Sequence, residues 1–272
     1  MSAAADTITK MASAVATTNF LACSYASKEA GRLANLLKNL NLSALITGEK
    51  GVGKTTLAQN ITDAAIVNGE NLNALLSALG SNSVLIVKNF HKISNYVLLK
   101  EALKANPTRL IATSNQKIDE KITDIFFGIK ITIPPLSERP EDVEALAQKF
   151  YKEAHMLFLG EERERESVDL SGIELDVSLN SYSLKRSVYT AFVVENFKEH
   201  EMLNLLEKFF TQKIGGGDDY RKLLYVFDVP MLRAGFTRFH SQLAISKNFG
   251  LNRNTLRKKI RELRNFFKNQ VI

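Results

Sequence analysis

"SALITGEKGVGKTTLAQNI", from Ser43 to Ile61, begins with a short apolar stretch, passes through a glycine-rich turn and ends in a helix-forming segment. Within it, residues 48–55 fit the pattern GxxxxGK(S/T). In this pattern the glycines let backbone N–H groups turn inward around phosphates, and the following helix directs its positive end at them. A glycine-rich turn without a ligand is the alternative. Because the pattern stands between a predicted strand and a predicted helix, it favours a phosphate-binding loop.

The residue types in this loop predict how a nucleotide is held. Lys54 is expected to neutralise the β- and γ-phosphates, and the Thr55 hydroxyl to hold a magnesium ion. The predicted cofactors are therefore ATP or ADP, with Mg²⁺ bound through the nucleotide. The predicted nucleotide-binding residues are those of the loop and the first helical turn: Gly48, Glu49, Lys50, Gly51, Val52, Gly53, Lys54, Thr55 and Thr56.

The composition of the 272-residue chain excludes several classes of protein. A hydrophobic content of 45% and a charged content of 24% are typical of a globular protein with a normal core. Cys23 is the single cysteine, so neither an internal disulfide nor a thiolate metal cluster is expected, which favours a cytoplasmic location. The sequence has no apolar run of about 20 residues, so no membrane partner is predicted.

Strand and helix signals alternate in the first half of the chain. This alternation predicts an α/β fold with a parallel sheet covered on both faces. The predicted strands are Leu42–Thr47, Ser83–Val87, Leu110–Thr113 and Ile129–Ile133, and the predicted helices are Lys28–Leu40, Thr55–Val67 and Leu72–Leu79. After Pro135 the pattern becomes helical, with a helix over Pro140–Leu159 and two more within Ser183–Phe210.

Hydrolysis of a nucleotide requires more than a phosphate loop. A second apolar strand normally ends in an acidic residue for magnesium, often followed by a glutamate that activates water. Here the strand ends in Lys88-Asn89, and neither side chain replaces a carboxylate. Asn115, after the next strand, could sense the γ-phosphate or simply cap the strand end. No catalytic residue is therefore assigned.

Positive charge is concentrated at the C-terminal end. The chain has a net charge of +7, and the segment from Asp218 onward contains 12 Lys and Arg against 4 Asp and Glu. The last fifth of the chain thus holds all of the excess positive charge. A localised basic segment indicates an anionic partner, most plausibly nucleic acid.

"SQLAISKNFGLNRNTLRKKIREL", from Ser241 to Leu263, lies in this basic segment. We predict a short helix over Ser241–Phe249, a left-handed turn at Gly250 and a second helix capped by Asn252. The second helix has an apolar stripe on one side, formed by Leu256, Ile260, Leu263 and Phe267. This arrangement predicts a helix-turn-helix, with an ordinary basic amphipathic helix as the alternative.

The opposite side of the second helix carries the predicted contacts with double-stranded DNA. The N-terminal part of such a helix meets base edges, and more distant cations contact phosphates. The expected base contacts are Arg253, Asn254 and Thr255, and the expected phosphate contacts are Arg257, Lys258 and Arg261.

Three stretches together resemble a known family. "LITGEKGVGKTTLA", "IKITIPPLSERPEDVEALAQKF" and "GLNRNTLRKKIREL" resemble the phosphate loop, the PPLRERPEDI segment and the Fis-type recognition helix of NtrC-like enhancer-binding proteins, the sigma-54-dependent transcription activators. The resemblance runs from about Phe20 to the C-terminus. It implies an AAA+ P-loop NTPase-like parallel sheet with a helical lid, followed by an all-α Fis-type helix-turn-helix domain.

The resemblance also implies a division into domains. Residues 1–18 are expected to be a flexible N-terminus, 19–135 the α/β nucleotide-binding subdomain, 136–213 the helical lid, 214–217 a glycine linker, and 218–272 the DNA-binding domain.

Several positions depart from the family in one direction. Leu57 to Ser83 is too short to contain the GAFTGA loop that contacts sigma-54, and Lys88-Asn89 replaces the family's Asp-Glu pair. The two arginines that reach a neighbouring nucleotide correspond to Ile122 and Gly128, and the sensor arginine corresponds to Tyr182. The resemblance therefore implies a degenerate ATPase that does not remodel sigma-54 polymerase.

The resulting hypothesis is a DNA-binding transcriptional regulator that binds ATP without hydrolysing it. Its expected partners are DNA, further copies of itself as a homodimer or AAA+-type oligomer, RNA polymerase, and a paralogous AAA+ activator. One alternative is an active ATPase whose magnesium carboxylate comes from Asp119, Glu120 or Asp124. Another is an assembly partner that modulates a complete AAA+ activator.

Overall fold

The computed structural model describes residues 20–160 and 168–266. The chain divides into two compact units, with the boundary between Asn196 and Phe197. The N-terminus predicted to be flexible, residues 1–18, lies outside the described residues.

A five-stranded parallel sheet forms the centre of the first unit, with the strand order β2-β3-β4-β1-β5. Its strands are β1 Ala44–Thr47, β2 Ile66–Asn68, β3 Val84–Lys88, β4 Arg109–Ser114 and β5 Ile129–Thr132. The register pairs Thr47 with Ser114 on one side and with Thr132 on the other. Because all strands are parallel, the loops that follow β1, β3 and β4 open at the same edge of the sheet.

Helices cover both faces of this sheet. They are α1 Tyr25–Lys38, α2 Lys54–Ile61, α3 Leu72–Leu79, α4 Tyr96–Ala105 and α5 Glu120–Phe126. On one face, Ile46, Ile86 and Ile111 pack with residues of α1 and α2. On the other face, Leu45, Leu85 and Leu110 pack with residues of α3 and α4. Alternate residues of the buried strands therefore serve two separate cores.

One predicted helix was too long. The helix predicted over Thr55–Val67 ends at Ile61, and Ile66–Asn68 forms the edge strand β2 instead. Ile66 pairs with Ile86 and Val67 with Val87, so these residues form backbone hydrogen bonds with β3 in place of the bonds within a helix. The β-branched pair Ile66-Val67 suits this extended conformation.

A helical pair completes the first unit. It consists of α6 Pro140–Leu159, which begins with Pro140 and two acidic residues, and α7 Ser181–Asn196. The rings of Tyr151 and Phe192 meet edge to face between the two helices, with their centroids 5.1 Å apart. These helices correspond to the first part of the predicted lid.

The second unit contains helices α8 Glu199–Thr211, α9 Asp219–Leu223, α10 Tyr225–Phe239, α11 Gln242–Asn248 and α12 Arg253–Glu262. The sequence analysis assigned α8 to the lid, whereas its contacts group it with these C-terminal helices. Leu232, Ile245 and Leu256 form a small buried core between α10, α11 and α12.

Helices α11 and α12 agree with the two helices predicted from the C-terminal sequence. Ser241 caps α11 by accepting from the Ala244 amide, and Asn252 caps α12 by accepting from the Asn254 amide. Gly250 has φ +63° in the turn between them. Phe267, predicted in the apolar stripe, lies outside the described residues. Among the residues that are described, no helix has the length and apolar character needed to cross a membrane.

Candidate nucleotide-binding site

The glycines of the phosphate loop have the conformations that the motif requires. Gly48, Gly51 and Gly53 have φ values of +143°, +87° and +101°, a region that L-residues with side chains rarely adopt. A methyl group at Gly48 would also collide with the Ile133 carbonyl oxygen. Gly53 is the N-cap of α2, so the positive end of this helix faces into the loop.

Lys54 lies across the mouth of the loop. Its Nζ donates hydrogen bonds to the carbonyl oxygens of Gly48, at 2.8 Å, and Glu49. The side chain is buried, and burial lowers its pKa to about 8, against an opposing effect of the Glu49 carboxylate. A buried ammonium held by two carbonyl oxygens keeps positive charge where a phosphate would bind.

The helical pair α6–α7 contacts the loop through residues just before and within α7. Asn180 is buried, and its Nδ2 donates to Glu49 Oε2 at 3.0 Å and to the Lys50 carbonyl at 3.1 Å. Ser181 Oγ donates to the Gly51 carbonyl at 2.6 Å. The carbonyl groups on the outer side of the loop are therefore satisfied, and the conformation of the loop is fixed from outside.

Arg139 supports the loop from the other side. It is 1% exposed, and its Nη2 donates to the Val52 carbonyl at 3.2 Å. Its Nη1 donates to the buried Asp142 carboxylate at 2.9 Å. Burial raises the pKa of Asp142, but hydrogen bonds from the Ser24 and Cys23 amides and from serine hydroxyls outweigh it and hold the pKa below its usual range.

The ends of β3 and β4 meet the loop at the same edge of the sheet. After Lys88, Asn89 adopts a left-handed conformation with φ +54°, and its Nδ2 donates to Asn68 Oδ1 at 3.1 Å. Asn115, the predicted sensor, is exposed in the bend after β4. The buried residue at this position is Ser114, whose Oγ lies 3.0 Å from His91 Nδ1.

His91 is a polar residue of this edge that none of the sequence motifs includes. The Ser114 hydroxyl donates its proton to the Gln116 carbonyl at 2.6 Å, so the hydrogen bond with His91 requires a proton on Nδ1. Burial lowers the pKa of His91, and the charges of Lys92 and Lys54 lower it further. His91 is therefore a neutral imidazole within electrostatic reach of the loop lysine.

The residues at the edge do not fit a magnesium ion held by a β3 carboxylate. Thr55 is half-buried in the first turn of α2, and β3 ends in Lys88 instead of a carboxylate residue. In residues 20–160 and 168–266, no group of three His, Cys, Asp or Glu side chains is placed to hold a metal. Magnesium prefers oxygen ligands, in particular carboxylates, and β3 supplies none.

The alternative carboxylates have other partners or positions. Asp119 caps α5 by accepting from the Lys121 amide at 2.9 Å, and Asp124 pairs with Lys130 at 2.6 Å. Glu120 is exposed in the first turn of α5. Among the residues that the structure describes, none of the three forms a hydrogen bond or an ion pair with the phosphate loop.

None of the three positions that correspond to arginines in the resembling family carries a cationic side chain. Ile122 is half-buried, and Gly128 has open space where a side chain would begin. Tyr182 lies beside the loop, with Lys50 Nζ 5.6 Å from the centre of its ring. A methyl group at Gly51 would come within 2.9 Å of this ring.

The predicted DNA-contacting residues share one exposed surface in the second unit. Leu256 of α12 is buried. The six predicted residues are all exposed on the same helix: Arg253, Asn254, Thr255, Arg257, Lys258 and Arg261. Lys259 points elsewhere, because it pairs with Asp228 of α10 at 2.5 Å. The basic side of α12 is thus separated from the side that packs into the core.

Arg139 and Asn180 are the residues of the site that the motif search missed. Arg139 lies in the stretch "PPLSERPED", and Asn180 lies two positions before Tyr182, but no local pattern shows that they contact a loop 87 and 130 positions away in sequence. The spacing of an arginine three positions before an aspartate was the available signal for the Arg139–Asp142 pair.

Comparison with solved structures identifies the fold. NtrX from Brucella abortus in complex with ATP superposes with a TM-score of 0.53 at 14% sequence identity, covering 94% of this chain and 72% of that chain. Its complex with ADP gives a TM-score of 0.54 at 14% identity, covering 91% and 69%. No protein-family model matches the chain, and no curated protein matches its sequence significantly. The topology and these likenesses show an AAA+-type P-loop fold.

Proposed function

We propose that this protein is a DNA-binding transcriptional regulator whose AAA+-type domain binds ATP or ADP without hydrolysing it. The observation that carries the proposal is the division of α12, which buries Leu256 and exposes all six residues predicted to contact DNA. A helix that packs on one side and is cationic on the other suits insertion into the major groove.

Nucleotide binding is supported by the geometry of the loop. Three glycines with positive φ, the N-terminus of α2 and the Lys54 ammonium converge on one cradle. NtrX, which shares the fold, has been solved with ATP and with ADP. The nucleotide site is proposed to comprise residues 48–56, and Asn115, in the bend after β4, is proposed to contact the γ-phosphate.

The absence of hydrolysis is supported by the end of β3. Lys88 and Asn89 replace the carboxylates that would hold magnesium and activate water. Ile122, Gly128 and Tyr182 replace the arginines that would complete the site in an oligomer. On this proposal the domain changes its assembly or DNA affinity when nucleotide binds, rather than performing cycles of hydrolysis.

Binding of double-stranded DNA is proposed to use the turn and α12 as a Fis-type helix-turn-helix. Arg253, Asn254 and Thr255 occupy the first turn of α12, where side chains reach base edges. Arg257, Lys258 and Arg261 lie farther along the helix and are placed to contact phosphates.

Self-association belongs to the same proposal. Helix α8 buries none of its residues, although it carries Leu203 and Leu205, each 57% exposed. A helix with exposed leucines in the same unit as the DNA-binding helix favours assembly of further copies, as a homodimer or an AAA+-type oligomer. A paralogous AAA+ activator or RNA polymerase would be a further partner of such an assembly.

The test is recovery and sequencing of genomic DNA fragments bound by the full chain at about 150 mM salt, because lower salt strengthens non-specific binding. We expect a few enriched sites with inverted-repeat symmetry. Arg253→Ala should reduce binding to these sites by about 1–3 kcal/mol, whereas the matched control Arg221→Ala, on exposed α9, should leave it unchanged. Uniform binding that disappears with salt would refute sequence-specific regulation.

A further inference from the structure

Lys88 ends β3 at the edge of the sheet where the phosphate loop lies. Side chains alternate along a strand, so Lys88 projects from the same face of the sheet as Ile86. Ile86 packs in the core that contains Leu57 and Ala58 of α2. Lys88 therefore projects on the face where α2 begins, and β4 lies between β3 and β1, the strand that leads into the loop.

The charge of Lys88 is not neutralised within the described part of the chain. Its side chain is half-buried, and none of the ion pairs between described residues includes it. The carboxylate at the end of β2, Glu70, is already bonded to Lys92. Asn89, next to Lys88, uses its amide to bond Asn68. A half-buried ammonium without an anionic partner requires an anion or water to complete its environment.

The edge as a whole is cationic where a nucleotide-hydrolysing site would be acidic. Lys54 holds positive charge in the loop, and Lys88 adds a second ammonium from β3. An ammonium has three donors for phosphate oxygens, whereas it repels a divalent cation. The donor set at this edge therefore suits the phosphates themselves and does not suit magnesium.

We propose that the loop binds a nucleoside triphosphate without a divalent cation, and that the Lys88 ammonium supplies the positive charge that magnesium would otherwise supply. This inference rests on the proposed nucleotide binding and specifies the form in which the nucleotide is bound, as the free polyphosphate anion. It assigns Lys88 a direct contact with the terminal phosphates.

The experiment is calorimetric titration of the full chain with ATP, once in EDTA and once in excess magnesium. We expect ATP to bind in EDTA at least as tightly as in magnesium, because magnesium neutralises the anion that Lys88 recognises. Affinity that increases about tenfold or more with magnesium, about 1.4 kcal/mol, would overturn the inference and leave the proposed nucleotide binding intact. No binding under either condition would overturn both.

Lys88→Asp provides the sharper test, because it restores the carboxylate of an acidic strand end. We expect ATP affinity in EDTA to fall about tenfold or more, and magnesium to recover most of the loss. Lys88→Asn removes the charge without adding a ligand, so its affinity should fall in EDTA with no recovery in magnesium. Wild-type affinity of Lys88→Asn in EDTA would show that Lys88 does not contact the phosphates.

The matched control is Lys100→Asp. Lys100 is exposed on α4 and lines a groove with Ser43 and Ser83, which precede β1 and β3 at the opposite edge of the sheet. The same charge change at that edge should leave ATP affinity unchanged in both buffers. A thermal unfolding transition like that of the wild type shows that the Lys88 variants are folded. If Lys100→Asp lost as much ATP affinity as Lys88→Asp, the change in net charge alone would explain the loss. This result would overturn the assignment of a phosphate contact to Lys88.

Discussion

The side-chain amide of Asn180 donates a hydrogen bond to the carbonyl oxygen of Lys50 at 3.1 Å, across 130 positions of sequence. The same residue accepts from the Leu136 amide through Oδ1 at 2.7 Å. Asn180 thereby joins three segments: the phosphate loop, the turn before α6 and the start of α7. Its φ of +55° explains why an asparagine suits this position, since asparagine tolerates the left-handed region better than most residues.

Asn180→Gly should separate the contribution of the Asn180 hydrogen bonds to stability from the effect of backbone strain at positive φ. Glycine retains the left-handed conformation but removes the bonds to Glu49, Lys50 and Leu136. We expect a loss of about 1–3 kcal/mol in the free energy of unfolding, measured by urea denaturation, together with weaker ATP binding. Asn180→Ala should cost more, because it adds strain at positive φ. Equal stability of the wild type and Asn180→Gly would contradict the role of the junction.

Lys54 should make the stability of the nucleotide-free protein depend on pH. Its folded pKa is about 8 and its ordinary value is 10.5, so the unfolded chain holds more protons between these values. The free energy of unfolding should therefore increase as pH rises from about 8 to about 10.5, by at most about 1.4 kcal/mol per pH unit for one proton.

Urea denaturation at several pH values, without nucleotide, measures this dependence. Lys54→Met should remove the part of the slope that belongs to Lys54, and it should also abolish ATP binding. Exposed Lys100→Met is the control that keeps the slope. Identical slopes for the wild type and Lys54→Met would show that Lys54 is not the group responsible.

Replacing only one partner of the Arg139–Asp142 ion pair should strongly destabilise the folded protein. Asp142 accepts from Arg139, Cys23 and Ser24, so Asp142→Asn would leave a buried guanidinium without its counter-charge. We expect a loss of about 3–5 kcal/mol in the free energy of unfolding, measured by urea denaturation. Replacing both residues, as Arg139→Met with Asp142→Asn, should cost less than the sum of the two single changes. Additive losses would mean that the ions are not coupled.

Because the pKa of Asp142 is lowered, the contribution of the Arg139–Asp142 pair to the free energy of unfolding should depend on pH in the acidic range. Because the folded pKa lies below the unfolded value, its contribution is present above the ordinary aspartate range, near 3.8, and is lost as pH falls through the folded pKa. The wild type should therefore lose more stability than Asp142→Asn between neutral and acidic pH.

The sequence predicted the parts of the site that depend on neighbours in sequence. The glycines of the loop and the cap Asn252 are encoded locally, and the structure gives them the conformations predicted. Ser241, predicted as the first residue of a helix, is instead its N-cap. Strand β2 was missed because Ile66-Val67 continues the apolar character of the preceding helix, and its extended form depends on pairing with β3. The hydrogen bond between Asn180 and Lys50 and the one between His91 and Ser114 depend on the arrangement of the whole sheet. Local pattern therefore predicts the cradle, and tertiary packing decides what surrounds it.

Gly235 should control the packing of the DNA-binding helices. A methyl group at this position in α10 would come within 2.7 Å of the Phe249 ring, which lies at the end of α11. In an open helix position, glycine to alanine stabilises by about 0.5–1 kcal/mol, but here the collision should outweigh this gain and cost about 1–3 kcal/mol. The readouts are thermal unfolding and affinity for a recovered DNA site, both of which should decrease in Gly235→Ala.

A second substitution distinguishes this collision from a general effect on α10. Phe249→Leu removes the ring that the new methyl group would meet, so Gly235→Ala should be less destabilising in that background than in the wild type. Because Phe249 packs against the core of Leu232, Ile245 and Leu256, relief of the collision should also restore part of the DNA affinity that depends on the position of α12. If Gly235→Ala costs the same in both backgrounds, the close approach of Phe249 does not explain the glycine.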